Sequence, residues 1–304
     1  MRKKLRPTAV PLVTVDPYFS IWSCSDALTD GHTKHWSEVP NPILAGVYIG
    51  NSYHSICDLH ADFSYKRTKL YQTDLDVTPL STTYKFENDE VKVKLEFTTP
   101  LLLDRPDILS RPVSYVAYEV ENNSDKEVRF VFGISARSCV KEKHQMVEFK
   151  KTPYSLCCGN TLQHPLCCEG IVEQIDWGYL HLCDKDAYVA ISDQQPALTR
   201  QPLNRAYNAF SETPYMVVEK KELKGVITLA YDEIKPIEYF GVALEELYKE
   251  SFADFGDMVN AAIADMINET HDRVPLTDWY YTTNGKYRTF LNRTVVAGVF
   301  IKLI

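Results

Sequence analysis

Apolar and polar residues alternate with a period of two along most of this chain. Residues 91–97 (VKVKLEF) place Val91, Val93, Leu95 and Phe97 on one face and Lys92, Lys94 and Glu96 on the other. That is the pattern of an antiparallel strand with one buried and one wet side. The apolar run 43–49 ends at Gly50-Asn51 and is followed by an alternating stretch at 53–57, which predicts a hairpin. Strands are predicted over 66–77, 82–86, 113–120 and 128–135, with the polar turn Asn122-Asn123-Ser124-Asp125 between the last two. Shorter ones follow at 146–150, 154–158, 171–175, 178–182, 187–191, 215–220 and 225–231. Their spacing predicts a mainly β chain folded as a large antiparallel β-sandwich.

The period changes after residue 250. Ser251 is placed to cap a helix carrying Phe252, Phe255, Met258, Val259, Ala262, Ile263, Met266 and Ile267, whose spacing puts an apolar stripe on one face. The stripe needs a partner, so docking on the sandwich and self-association through residues 252–267 are both expectations. Residues 241–250 read as a second, short helix. The end of the chain has a turn at Asn284-Gly285 and an apolar run over 295–304, a strand or a closing helix.

Residues 7–36 follow neither period. Pro7, Pro11 and Pro17 exclude a helix interior and favour extended backbone, while Tyr18, Phe19, Trp22 and Trp36 alternate with Asp16, Asp26, Asp30, His32 and His35. The stretch is expected to be an extended strap laying aromatic side chains onto the rest of the fold. Amphipathic rings also suit a ligand cleft.

Composition adds limits. Hydrophobic residues at 45% and charged residues at 24% of 304 are globular values, and 19 Tyr and 13 Phe against 12 Gly favour sheet. A net charge of −8 without a basic run argues against nucleic acid or an anionic membrane as partner. The basic start, Arg2, Lys3, Lys4 and Arg6, runs into Pro7 rather than an apolar segment, so a cytoplasmic protein with reduced thiols is expected. Cys157, Cys158, His164, Cys167 and Cys168 form a CC-x5-H-x2-CC cluster. Zinc sites favour a CxxC knuckle, and neighbouring cysteines on a strand face opposite ways. Buried thiols in a hairpin turning at Gly159-Asn160 are therefore expected, with no metal and no cofactor.

No phosphate-binding loop, dinucleotide fingerprint, nucleophile elbow or HExxH helix is present. Candidate catalytic acids are Asp16, Asp30, Asp176 beside Trp177, Asp232-Glu233, and Asp278 beside Trp279. A carboxyl against an aromatic wall can have a raised pKa and act as a general acid, but the same composition more often marks a hydrogen-bonded core corner. Candidate binding residues are Trp22, His35, Trp36, Arg111 and Trp279. Arg111 suits a bidentate clamp on a carboxylate, or an ion pair bracing the strap.

Several segments, RPTAVPLVTVDPYFSIWS, LSRPVSYV, IDWGYL, LAYDEIKPIEYF and RVPLTDWYYTTNGKYRTFLNRTVVAGVFIKLI, together resemble the glutaminase A family. The resemblance implies an N-terminal region of super-sandwich type, a large domain of six helical hairpins, and hydrolysis of L-glutamine to L-glutamate and ammonia. It divides the chain into a strap and hairpins (1–75), a sandwich (76–240) and a remnant of the helical domain (241–304). Most of that helical domain is absent at a junction near 241–251, so impaired activity is expected. The expected partner is a small molecule, glutamine or a carbohydrate. The alternatives are a non-catalytic carbohydrate- or partner-binding sandwich and a glycoside hydrolase-like fragment. A strap lying at a seam with missing helices would leave some of Tyr18, Phe19, Trp22 and Trp36 exposed.

Overall fold

The computed structural model of the chain describes residues 7–57, 68–78, 80–102, 105–167, 174–191, 199–203, 206–212 and 214–269. Asp278, Trp279, Cys168 and the tail at 277–304 lie outside the described residues.

The fold is mainly β. One sheet runs, in spatial order, Thr199–Arg200, Tyr188–Ile191, Pro214–Lys220, Val128–Ser135, Ile43–Ile49, Ser52–Cys57 and Thr68–Lys69. The larger runs Ala206–Phe210, Met146–Lys151, Leu156–Asn160, Tyr179–Cys183, Lys224–Asp232, Val113–Asn122, Val91–Thr98, Ser81–Glu87 and Tyr71–Val77. Pairing is antiparallel except between Ser52–Cys57 and Thr68–Lys69. The two inner faces close on one core that includes Val47, Phe130, Phe132, Leu95, Phe97 and Leu229. The alternation at Val91–Thr98 holds, with its apolar positions buried and Lys92 and Lys94 exposed. Strands from the first quarter of the sequence sit inside the sandwich: Ile43–Ile49 lies between Val128–Ser135 and Ser52–Cys57. The sequence boundary at 75/76 therefore separates no layers.

The strap is less irregular than expected. Val10–Thr14 and Ser20–Ser23 pair as a small antiparallel hairpin of their own. Its prolines are accommodated because Pro17 falls in the turn and Pro11 sits beside a register shift. The strap is tied to the larger sheet by Thr82 Oγ1 donating to the Pro11 carbonyl (2.7 Å) and by Thr14 N–H donating to Thr99 Oγ1 (3.3 Å).

The C-terminal helix spans Phe255–Glu269. It starts later than the pattern indicated, because Asp254 rather than Ser251 supplies the cap: its Oδ1 accepts from Asp257 N–H at 2.9 Å. Met258, Val259, Ala262 and Met266 dock on Val113, Tyr115 and Ala230, on the outer face of the larger sheet. Each fully buried Met or Val contributes roughly 1.5–3 kcal/mol, so docking on the sandwich holds a helix that is marginal alone. The helix expected at 241–250 is instead a strand, Val242–Leu244, paired with Ile237–Tyr239, followed by a 3-10 turn at Leu247–Glu250. Phe240 and Gly241, both at positive φ (47° and 79°), form the tip of that hairpin. Gly159 and Asn160, expected in a turn, continue the strand Leu156–Asn160. Of the strand expected at 171–175, residues 174 and 175 lie in no strand, Ile175 N–H donating instead to the Tyr18 carbonyl of the strap (2.9 Å), and the rest lie outside the described residues.

Candidate functional site

A cleft of about 360 Å³ opens where three remote segments meet: the strap at Val15-Asp16, the stretch Leu109 to Pro112, and the stretch Glu233 to Leu247. Its lining combines four carboxyl side chains, Asp16, Glu233, Glu245 and Glu246, with an apolar wall that includes Ile237, Tyr239 and Leu244.

Asp16 is buried, and its Oδ1 accepts the backbone N–H groups of Tyr18 and Phe19, the latter at 3.0 Å. This fixes the tight turn at Pro17. The Pro17 carbonyl in turn accepts two side-chain donors, His35 Nε2–H at 2.9 Å and Trp36 Nε1–H at 2.5 Å. The His35 tautomer follows from its other nitrogen: Nδ1 receives the Ser37 N–H at 3.2 Å and lies 2.7 Å from Ser37 Oγ, so the proton is on Nε2. Burial lowers His35 to about 4, against a smaller opposing pull from the Pro17 carbonyl and Asp16.

Glu233 follows the strand Lys224–Asp232. Its position is set by close contacts that only particular residues permit. Gly178 has φ +78°, and a Cβ there would lie 2.1 Å from the Asp232 carbonyl oxygen. Trp177 donates from Nε1 to the Lys235 carbonyl (3.3 Å), and Tyr231 donates its hydroxyl to the Trp177 carbonyl (2.8 Å). Ile234 is forced to φ +64°, a costly conformation for a β-branched residue, while its N–H donates to Asp232 Oδ1 at 3.1 Å.

Burial of the Glu233 carboxyl raises its pKa well above the ordinary range. The charge of Asp16, a hydrogen bond shared with it, and the charges of Glu246 and Asp232 push the same way. No N–H or hydroxyl group among the described residues donates to the buried Asp16 Oδ2, a carboxyl O–H being the remaining kind of donor. Two carboxyl groups in hydrogen-bond contact need a proton between them, and Glu233 is the group held protonated. Glu246 is buried beside them and ion-paired with Lys249 (2.5 Å); burial raises it, and the Lys249 hydrogen bond opposes the rise. Ser110 Oγ, in the Leu109 to Pro112 part of the lining, is buried without a hydrogen-bond partner among the described residues.

The sequence candidates divide. Asp16 and Arg111 line the cleft. Arg111 braces the C-terminal helix rather than the strap: Nη1 pairs with Asp265 (2.5 Å), Nε–H donates to the Asp107 carbonyl (3.0 Å), and the guanidinium lies 5.2 Å from the Phe252 ring centre. These contacts engage its Nε–H and Nη1. His35 is buried and acts on backbone, as does Trp36, which is 50% exposed. Trp22 is buried with its Nε1–H donated to Ser20 Oγ at 3.0 Å. Asp30 is exposed at the end of a 3-10 turn, outside the cleft. Asp176 pairs loosely with Lys141 (3.8 Å), also outside it. Among the strap aromatics Phe19 and Trp22 are buried, Tyr18 is half-buried and Trp36 exposed. Cys158 points into the sandwich core and Cys157 to the opposite face, while His164 and Cys167 are exposed.

Among the described residues no helix is long and apolar enough to cross a membrane. Glu246 and Ser110 carried no signal in the sequence: one lies in a run of charges, the other before Arg-Pro. Two family models match the chain. One, described as Domain of unknown function (DUF5127), covers residues 80–278, and the other, Domain of unknown function (DUF4964), covers residues 1–57. Asp16 falls in the second match and the other cleft residues in the first, so both contribute to one site. No curated protein matches the chain.

Proposed function

Given that this chain belongs to the family described as Domain of unknown function (DUF5127), and given the acid pair in its cleft, we propose that it is a hydrolase of glutaminase type, acting on the side-chain amide of L-glutamine. The observation that carries the proposal is the contact between Asp16 and a protonated Glu233 inside a cleft large enough for an amino acid. The reading is also supported by the resemblance, since the strap, LSRPVSYV and LAYDEIKPIEYF, which carry it, all supply cleft residues.

The chemistry uses one shared proton. Asp16 takes a proton from a water as its oxygen attacks the amide carbon, and Ser110 Oγ–H donates to the oxygen that becomes negative. Glu233 delivers its proton to the departing nitrogen, the C–N bond breaks, and ammonia leaves. The proton gained by Asp16 returns to Glu233 across their hydrogen bond, which restores the pair. Glu246 faces the substrate ammonium. Turnover is expected to be low, because the helical-hairpin region implied by the resemblance is missing near 241–251.

The test is ammonia release from L-glutamine by the purified chain, with L-asparagine and D-glutamine as controls. Activity on L-glutamine that disappears in Glu233→Gln supports the proposal; equal rates in the wild type and Glu233→Gln reject it.

A second reading, a carbohydrate- or partner-binding module, is favoured by the exposed aromatics Trp36, Tyr239 and Phe240. Glycan binding lost in Trp36→Ala would replace the first reading with this one. Glycoside hydrolysis is less well supported, because carboxyl groups in hydrogen-bond contact are closer than the roughly 5 Å that retaining enzymes use.

A further inference from the structure

We infer that His35 and Trp36 are positioning residues that set the Asp16–Glu233 contact through the backbone of Pro17. The inference rests on the reading of that pair as the reacting acids, although its geometry stands apart from any substrate.

The chain of contacts is short. Both side chains donate to one acceptor, the Pro17 carbonyl, from His35 Nε2 at 2.9 Å and Trp36 Nε1 at 2.5 Å. Pro17 is bonded directly to Asp16, and the two N–H groups that hold Asp16 Oδ1 come from the next two residues of the same turn. The corner bearing the donors is itself pinned. Lys34, the residue before His35, exchanges backbone hydrogen bonds with Trp22 (2.7 and 2.9 Å), and His35 N–H donates to the Val39 carbonyl at 2.7 Å. Packing alone asks nothing of these side-chain nitrogens. A half-exposed indole has water for its N–H, yet Trp36 directs it to the carbonyl that His35 already occupies. Two donors on one carbonyl fix the plane of the Asp16–Pro17 turn, and with it the direction of the Asp16 carboxyl. A misplacement of about 1 Å in a reacting group is enough to cost on the order of a hundredfold in rate.

The groups facing Glu233 are Asp16 from the strap, Asp232 from its own strand and Glu246 from the following turn. Lys249 is paired with Glu246, and Arg111 on the far wall is paired with Asp265. Of these, Asp16 alone depends on the strap. If the Pro17 turn relaxes, the carboxyl loses its Asp16 contact and ionises at lower pH.

The experiment follows the Glu233 carboxyl by 13C NMR titration of the full chain, assigned with Glu233→Gln, alongside ammonia release from L-glutamine. His35→Leu is expected to titrate Glu233 at lower pH and to lower kcat about tenfold, a loss of about 1.4 kcal/mol in barrier terms, with KM within about twofold. His35→Gln, whose amide nitrogen reaches the same carbonyl, is expected to restore both. Trp36→Phe keeps an aromatic ring, though a smaller one, removes the N–H from an exposed side chain, and gives a smaller shift in the same direction; it serves if His35→Leu does not fold. Wild-type titration of Glu233 in both His35→Leu and Trp36→Phe, or failure of a folded His35→Gln to restore it, overturns the inference. If the wild type releases no ammonia, the hydrolase reading fails while the titration still decides the positioning role.

Discussion

Asp16 and Glu233 come from opposite ends of the described chain and meet carboxyl to carboxyl at one cleft, with Glu233 buried. A carboxyl held protonated in the fold has a free-energy consequence whatever reaction it serves. The unfolded chain releases that proton near pH 4.5, the ordinary value of a glutamate, while the folded chain retains it to higher pH. The native state therefore binds more protons above pH 4.5, and this group's contribution to stability is lost as pH rises towards its raised folded value.

Glu233→Gln keeps the shape and removes the titration. The variant is expected to gain stability over the wild type between pH 5 and pH 8, by about 1 kcal/mol or more (a one-unit pKa shift is worth about 1.4). Urea midpoints at the two pH values measure it; an equal difference between the two proteins at both pH values would reject it.

Two buried histidines act at the acid end. His181, hydrogen-bonded through Nδ1 to Ser155 Oγ at 2.8 Å and packed on Phe255, is lowered to about 3 by burial, and His35 to about 4. In the unfolded chain each takes up a proton below about pH 6.5, so there the unfolded state binds more protons and stability falls with pH. The window runs from about 6.5 down to about 4 for His35 and about 3 for His181. At pH 5 each costs roughly 2 kcal/mol relative to pH 7. His181→Gln is expected to shrink the pH 7 to pH 5 loss by about that amount, and an unchanged loss would count against the assignment.

Gly178 is required by geometry. A methyl group there would lie 2.1 Å from the Asp232 carbonyl, and the backbone is left-handed. Gly178→Ala is expected to cost more than about 3 kcal/mol and to disturb Glu233, the next residue after Asp232. A denaturation midpoint near that of the wild type would contradict the close approach.

Part of this site was legible in the sequence. Asp16 and Asp232-Glu233 are among the candidate acids, but the pattern ranks them no higher than Asp30, Asp176 or Asp278. What one-dimensional pattern could not supply was their meeting. Asp176 beside Trp177 has the same local signature as a raised-pKa acid, yet it lies near Lys141, because the loop before Tyr179–Cys183 buries Trp177 in the core and leaves Asp176 half-buried beside that lysine. The sandwich was legible for the converse reason: a period of two is local, and it reports which face is wet without knowledge of the partner strand. The 241–250 stretch was misread because its acids and leucines fit a helix until Phe240-Gly241 turns the chain back.

Arg111 holds the C-terminal helix through Asp265, the Asp107 carbonyl and Phe252. Asp265 is about half exposed, so the ion pair itself is discounted for solvent screening. Arg111→Met is expected to cost about 1–2 kcal/mol, mainly from hydrogen bonds lost at a largely covered side chain. The loss should be confined to faster amide exchange in Phe255–Glu269. Uniform loss across the sandwich, or none in the helix, would rule out this bracing role.

At the hairpin tip, Phe240 is 90% exposed. Phe240→Ser is expected to leave stability within about 0.5 kcal/mol while lowering binding of a hydrophobic dye. A large stability loss would mean that the ring is covered in solution.

The placement of Ile43–Ile49 in the middle of its sheet sets a timetable for birth on the ribosome. This strand is buried along nearly its whole length, and its neighbour Val128–Ser135 emerges only after the intervening chain has been made. At about 5–20 residues per second the wait is several seconds or longer, during which a sticky, unpaired edge is presented to every nascent chain nearby. The cleft closes later still, once Glu233 has been translated. Nascent chains arrested before residue 128 should therefore depend on chaperones for solubility, and the dependence should fade once Val128–Ser135 has cleared the exit tunnel.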